Sequence, residues 1–461
     1  MQDHPRFSSL DMMRAALRGE PPDLLALAAE WKRDYGDFVY WNFFPYPAYV
    51  VSHPDLLHEI LVEKADAFQK PPIYKTALSR FLGNGLLVSD GDFWRQQRRL
   101  AQPAFHHARV GRYAETMVSA AQGMIADWQD GAPIDAHAAM MRLTLEIVAK
   151  TLFNAEVGAD AETIRENLHV IQRETLVIAS SFLIALLPAW LPIPANRRQQ
   201  RAIRALDAVI ARIIRERRAS GVDAGDLLSM LLLAVDDGQR MTDQAARDEA
   251  MTLFMAGYET SSNAMAWTWH LLAQNPDAEA QLHAELDRVL AGRPPTLDEL
   301  PRLTYTEWVI KESLRLYPPA HGFGRQALRR VEIGGRVLPK GSIIFIYPYL
   351  VQRDPRWFDQ PDAFKPERWA NDLEKRLPKF AYFPFGGGAR ICIGSAFAMM
   401  ETRLILATIA AGWRLRLQPG AQIEPEALIT LAPRGGLPMI TERRQLASSA
   451  RLSAASQSAS G

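Results

Sequence analysis

Phe385-Gly-Gly-Gly-Ala-Arg-Ile-Cys-Ile-Gly394 contains Cys392, the single cysteine of the 461-residue chain. One thiol excludes disulfide frameworks, CxxC redox pairs and structural zinc sites built on several cysteines. An inert core thiol, a nucleophile or a single metal–ligand bond remain. Three consecutive glycines cost backbone entropy and bury nothing, so they imply a forced conformation or the close approach of a flat ligand. Beyond Gly394, the apolar run 395–411 reads as a long helix closed by Gly412. Cys392 thus precedes a helix N-terminus, where the macrodipole and free N–H groups favour a thiolate. Arg390 adds a positive charge suited to a carboxylate or phosphate. A nucleophilic cysteine would want a histidine base, and no histidine follows His321 in the sequence.

The segment resembles the cysteine-ligand loop of the cytochrome P450 family, whose pattern is Phe-x-x-Gly-x-Arg-x-Cys-x-Gly. Phe385, Gly388, Arg390, Cys392 and Gly394 match every fixed position.

Composition is compatible with that resemblance. An apolar fraction of 48% is ample for a core, and 53 basic against 52 acidic side chains leave no net field for nucleic acid. The polar N-terminus, 1–10, has no apolar signal segment, so a cytoplasmic protein without an N-terminal anchor is expected. Residues 1–444 are expected to form one haem domain, and the Ser/Ala-rich tail 445–461 to be disordered. Residues 176–195 carry no charge over twenty positions, the length of a membrane span. Pro188, Pro192 and Pro194 break that stretch and favour a kinked apolar lid, with contact to a membrane surface left open.

The pattern elsewhere is mainly α with small β-sheets. Strands are expected at 39–43, 48–52 and 343–347, with a hairpin at 331–338 turning on Gly334-Gly335. Helices are expected at 109–128, 138–153, 195–218 and 276–290. The longest starts at Thr242 or Asp243 and stops at Asn275-Pro276. It contains Ala256-Gly-Tyr-Glu-Thr-Ser261, where an interior glycine costs roughly 1 kcal/mol relative to alanine. The Thr260 hydroxyl can take the Ala256 carbonyl as its partner and loosen the helix ladder there. Glu312 and Arg315 form an i,i+3 pair in an apolar helix, and Arg368 could supply the further partner that burial would demand. Trp94 and Arg98 share a helical face at i,i+4.

Each of these stretches is similar to a P450 motif, in family order from Trp94 to Gly394. The resemblance implies a P450 fold, with haem b between the long central helix and the helix after the cysteine loop. It implies Cys392 as iron ligand, and Trp94, Arg98, Arg325 and Arg390 on the haem propionates. Ala256, Gly257, Phe385, Gly386 and Gly394 would border the haem, and Glu259 with Thr260 would deliver protons to bound O2. Glu312, Arg315 and Arg368 would form a structural triad. The activity implied is monooxygenation of a hydrophobic substrate such as a fatty acid, terpenoid or carotenoid. Electrons would come from a separate ferredoxin with its reductase, or from a flavodoxin, with Arg95, Arg99 and Arg112 as a docking patch or merely a solvated face. A peroxygenase, a non-catalytic haem-thiolate sensor and a cysteine hydrolase are the alternatives. The peroxide-using relatives replace the acid–threonine pair. By the same resemblance, Ile73, Tyr74, Leu78, Phe81, Leu82, Leu86 and Leu87, with Phe182, Phe254, Met255, Ala256, Ala320, Phe323, Ile429 and Leu431, would line the substrate pocket.

Overall fold

The computed structural model describes residues 11, 23–43, 46–106, 110–179, 190–191, 193–233, 235–236 and 239–444. The tail 445–461, Phe182 and most of the apolar stretch 180–192 lie outside the described residues.

The helices form where the sequence places caps and apolar periodicity. Among the described residues the ten longest are α1 (Leu24–Tyr35), α2 (Gly91–Ala101), α3 (Ala114–Ala126), α4 (Ala136–Phe153), α5 (Ala161–Ala179), α6 (Pro194–Ser220), α7 (Asp243–Gln274), α8 (Pro276–Leu290), α9 (Thr304–Leu316) and α10 (Ser395–Gly412). Asp135 caps α4 by accepting the Ala138 N–H at 3.2 Å, and Thr242 caps α7 by accepting that of Ala245 at 3.1 Å. Pro276 ends α7 and opens α8 at its first position, where a missing N–H costs nothing. The helix expected over 109–128 is shorter, because residues 111–113 form a 3₁₀ turn before α3.

A five-stranded sheet packs beside the helices, with β1 (Phe38–Phe43), β2 (Tyr46–Val51), β3 (Phe68–Gln69), β4 (Phe323–Ala327) and β5 (Ile343–Ile346) in the order β1-β2-β5-β4-β3. β2 starts two residues earlier than expected and includes Pro47, which faces Asn42 of β1. Pairing with β5 begins only at Ala48, so the missing proline N–H removes no bond from the sheet interior. The hairpin 331–338 turns on Gly334 and Gly335, both at positive φ.

α7 runs through the largest apolar cluster and packs against α4, α9 and α10. Ser261 on α7 donates to the buried Glu401 carboxyl group on α10, fixing one helix on the other.

Glu312 and Arg315 of α9 are both wholly buried. Arg315 donates to both Glu312 oxygens at 2.8 and 2.9 Å, and Arg368 Nε donates to Oε1 at 2.8 Å. The Trp369 indole (3.0 Å) and the Lys365 N–H (3.0 Å) complete the carboxylate's shell. Arg315 spends its remaining donors on the carbonyls of Gln352, Pro361 and Ala363. The Glu312 carboxylate is paired and all five Arg315 N–H donors are used, the condition under which buried ions are tolerated. Glu312→Gln leaves the buried Arg315 guanidinium without a counter-charge and should cost about 3–5 kcal/mol, read by chemical denaturation of the haem-loaded protein. A loss under about 1 kcal/mol would show that the cluster is not the support it is taken to be.

Candidate active site

α7 is buried at nearly every position from Ala246 to Leu272. The exceptions after Arg247 are Ala256, Gly257 and Thr260, so one short face of a core helix is left uncovered. Thr260 donates its hydroxyl to the Ala256 carbonyl at 2.7 Å, as expected. The Thr144 hydroxyl takes the Tyr258 carbonyl at 2.8 Å from the α4 side. Gly257 is explained by packing: a Cβ there would lie 2.9 Å from Val148 Cγ2 of α4. Phe254, expected in the substrate pocket, instead packs edge-to-face against Phe153 with centroids 5.6 Å apart. It shares a helical face with Tyr258, two residues off the Ala256–Thr260 face, and periodicity turns it into the core.

The cysteine loop is built from backbone bonds. The Cys392 N–H donates to the Phe385 carbonyl and that of Ile391 to Gly388, at 2.9 and 3.1 Å. Gly386 and Gly388 take positive φ, +72° and +66°, which disfavours any side chain. A Cβ on Gly388 would also meet the Leu61 carbonyl oxygen at 2.0 Å, and one on Gly387 the Phe380 ring. The close approach that the glycines permit is therefore to the protein's own backbone and aromatic packing. Cys392 is a free, exposed thiol. Desolvation by the surrounding protein pushes its thiol up, opposed by the Gly394 N–H and the Arg98 charge. The helix-terminal stabilisation of thiolate is present, but desolvation outweighs it.

Four sequence-selected residues converge beside this loop. The Arg390 guanidinium lies 4.4 Å over the Trp94 ring and pairs with Asp90. Arg98 donates to the Ile391 carbonyl at 2.8 Å, bracing the residue before the cysteine. A cavity of about 560 Å³ is lined by Trp94, Arg325 and Arg390 together with Gly387 and Ala389. Arg325 donates to the Gly324 carbonyl and stacks on Phe323, and has no carboxylate partner among the described residues. Burial, with Arg390 nearby, lowers it to about 10. A guanidinium enclosed without a directly paired carboxylate calls for an anionic ligand.

Lys70 was not legible in the sequence as part of this group. Its ammonium donates to the Leu86 and Ser89 carbonyls at 3.0 and 2.9 Å, and burial with the Arg390 charge lowers it to about 7. On the outer side, Arg95, Arg98, Arg99 and Arg112 line an open cleft of about 720 Å³.

Glu259 is buried and is not itself part of the uncovered face. Its Oε1 accepts from the Thr430 hydroxyl, and the Gln172 side chain supplies a second hydrogen bond. Burial raises its proton affinity against both.

The residues present fit a haem. They offer an accessible thiol at a helix start, a small-residue face on the crossing helix and an enclosed guanidinium lacking a directly paired carboxylate. The Cytochrome P450 family model matches residues 18–437. The chain belongs to the cytochrome P450 family.

Among its P450 relatives is cyclooctatin synthase of Streptomyces melanosporofaciens, 42% identical over 89% of this chain and 89% of that protein. Cyclooctat-9-en-7-ol 5-monooxygenase of the same organism is 39% identical, over 92% of this chain and 94% of that protein. Pentalenene oxygenase of Streptomyces avermitilis is 36% identical over 86% and 88%. The protein is a haem-dependent monooxygenase with a thiolate-ligated haem, using O2, a hydrophobic substrate and a redox partner. Among the described residues one helix is long and apolar enough to cross a membrane, and it is α10, largely buried in the core.

Glu401 of α10 was also missed in the sequence. It is fully enclosed, one oxygen bonded to Ser261 and the other without a partner among the described residues, and burial raises it to about 8. A carboxyl raised on folding favours the folded state at low pH and loses that advantage as pH climbs above its unfolded value. Its penalty should grow by about 1.4 kcal/mol per pH unit from ~4.5 to ~8. Glu401→Gln should therefore gain stability over the parent as pH rises from 5 to 8 in thermal unfolding. A pH-independent difference would refute a neutral buried carboxyl there.

Proposed function

We propose that this P450 hydroxylates or epoxidises a terpenoid, with haem b (iron protoporphyrin IX) held by Cys392 and protons delivered by Glu259 and Thr260. The observation that carries this reading is the uncovered face of α7, confined to Ala256, Gly257 and Thr260 and adjoining a buried carboxyl. When bound, the haem supplies O2 activation and transfer of one oxygen atom. Arg325 would neutralise a haem carboxylate, with Arg390, Trp94 and Arg98 beside it. Phe385, Gly386 and Gly394 would shape the cysteine side of the cofactor.

Ala256 places no bulk over the open face, leaving room for a diatomic ligand. The Thr260 hydroxyl rests on the Ala256 carbonyl, and turning it outward presents an O–H donor to that space. Burial gives Glu259 the raised proton affinity that suits a group holding a proton for delivery. The acid–threonine pair favours O2 and reductant over a peroxide-driven reaction, and a sensor would have no use for it.

Among the substrate classes expected, terpenoids are favoured by relatives named for a cyclic alkene alcohol and an alkene. Leu78, Phe81, Leu82 and Leu86 are buried apolar side chains ahead of α2, suited to such a ligand. The arginine cleft formed by Arg95, Arg98, Arg99 and Arg112 suits an acidic electron donor, either ferredoxin or flavodoxin. A cytoplasmic location completes this reading.

Titration of the ferric holoprotein with cyclic terpenes, terpene alcohols, fatty acids and carotenoids tests the substrate class. Terpenoids should give a type-I spectral shift and an oxygenated product, and a response confined to fatty acids or carotenoids would overturn the assignment. Thr260→Ala should raise peroxide release per electron pair several-fold. Unchanged coupling would remove Thr260 from proton delivery.

A further inference from the structure

The carboxyl assigned to proton delivery is held by a row of neutral side chains reaching toward the surface. Thr430 lies just before the strand Leu431–Pro433, and its hydroxyl donates to Glu259 Oε1. Its oxygen accepts the Asn263 amide N–H at 3.0 Å, one turn along α7. Asn263 Oδ1 lies 2.7 Å from Nε2 of His137, on the first turn of α4. Thr430, Asn263 and Glu259 are buried, His137 is half-buried, and Asp135 before it is exposed. Among the described residues Glu259 has no ion pair.

The direction of the row follows from counting hydrogens. Thr430 has one hydroxyl hydrogen, and an ionised Glu259 can only accept. That hydrogen therefore goes to Oε1, and the Thr430 oxygen is left to accept from the Asn263 amide. Asn263 Oδ1 then receives the Nε2–H of His137. Each residue determines the role of the next, and the row ends on the carboxylate. The surrounding titratable and charged groups are Tyr258 beside Glu259, with Asp135, Arg165 and His169 facing His137.

We propose that Thr430, oriented by Asn263 and His137, is a positioning residue that stabilises the Glu259 carboxylate left after each proton delivery and holds it for reprotonation. In each cycle a proton leaves the Glu259 carboxyl toward the Thr260 side, and water returns one to the carboxylate. Thr430 keeps its own hydrogen throughout. This rests on the proposed role of Glu259, and the test separates the two.

Infrared spectroscopy of the holoprotein gives a readout independent of turnover. The carbonyl band of protonated Glu259 is identified by its loss in Glu259→Gln. In Thr430→Val that band should persist about one to two pH units higher, as expected when a carboxylate loses one hydrogen bond. Peroxide release per electron pair should rise several-fold, with Thr430→Ser restoring both readouts. A band and coupling unchanged in Thr430→Val, while Glu259→Gln uncouples, would overturn the proposal and leave Glu259 in place. Unchanged coupling in Glu259→Gln would remove its proton-delivery role, and the infrared shift would still decide whether Thr430 holds the carboxylate. Should Thr430→Val fail to load haem, Asn263→Leu is read by the same band, with a shift in the same direction expected and no shift contradicting it.

Discussion

A carboxylate buried without water must be paired on every side, and Glu312 imposes that constraint on the cysteine half of the protein. Its partners come from α9 and from the segment 365–369, so they cannot separate without stranding a charge. Arg315 carries the constraint onward to the Gln352 carbonyl. The Gln352 amide in turn binds the Leu314 and Arg315 carbonyls and accepts the Phe383 N–H at 2.9 Å. From Phe383 the backbone bonds run to Gly386, and from Phe385 to Cys392. The thiol is thus positioned at the end of a bonded path that begins at a buried ion cluster and does no chemistry itself.

The opposite wall is set by helix packing. Gly257 lets α7 approach Val148 of α4, Phe254 and Tyr258 turn into that interface, and Ser261 is bonded to Glu401 of α10. With those positions committed to packing, Ala256 and Thr260 remain for the open face. Small side chains in a core are usually filled by neighbours; here their exposure marks a site for something other than the chain itself.

What the sequence made legible were features whose partners lie within a few residues or within a fixed motif. The i,i+3 pair Glu312–Arg315, the i,i+4 bond of Thr260 to Ala256, the cap at Thr242 and the ten-residue cysteine loop are of this kind. Residues whose role depends on distant segments were not readable. Lys70 becomes notable only when Arg325 and Arg390 are folded against it, and Glu401 only when Ser261 arrives from α7. Glu259 was expected beside the open face, but a hydroxyl 171 positions away holds it elsewhere. Phe254 was assigned to the pocket by resemblance to the family, and helical periodicity puts it on the other side. The glycines of the cysteine loop were read as a forced conformation or room for a flat ligand; Gly386 and Gly388 do take positive φ, and Phe380 and Leu61 occupy the room beside Gly387 and Gly388.

The central claim is that Cys392 is the axial ligand of the haem, and the ferrous carbon monoxide spectrum tests it most directly. The haem-loaded protein, reduced and exposed to carbon monoxide, should show the strongly red-shifted Soret band of thiolate ligation, and Cys392→Ser should lose it. A histidine-type carbonyl spectrum in the unaltered protein, or an unshifted band in Cys392→Ser, would contradict the assignment.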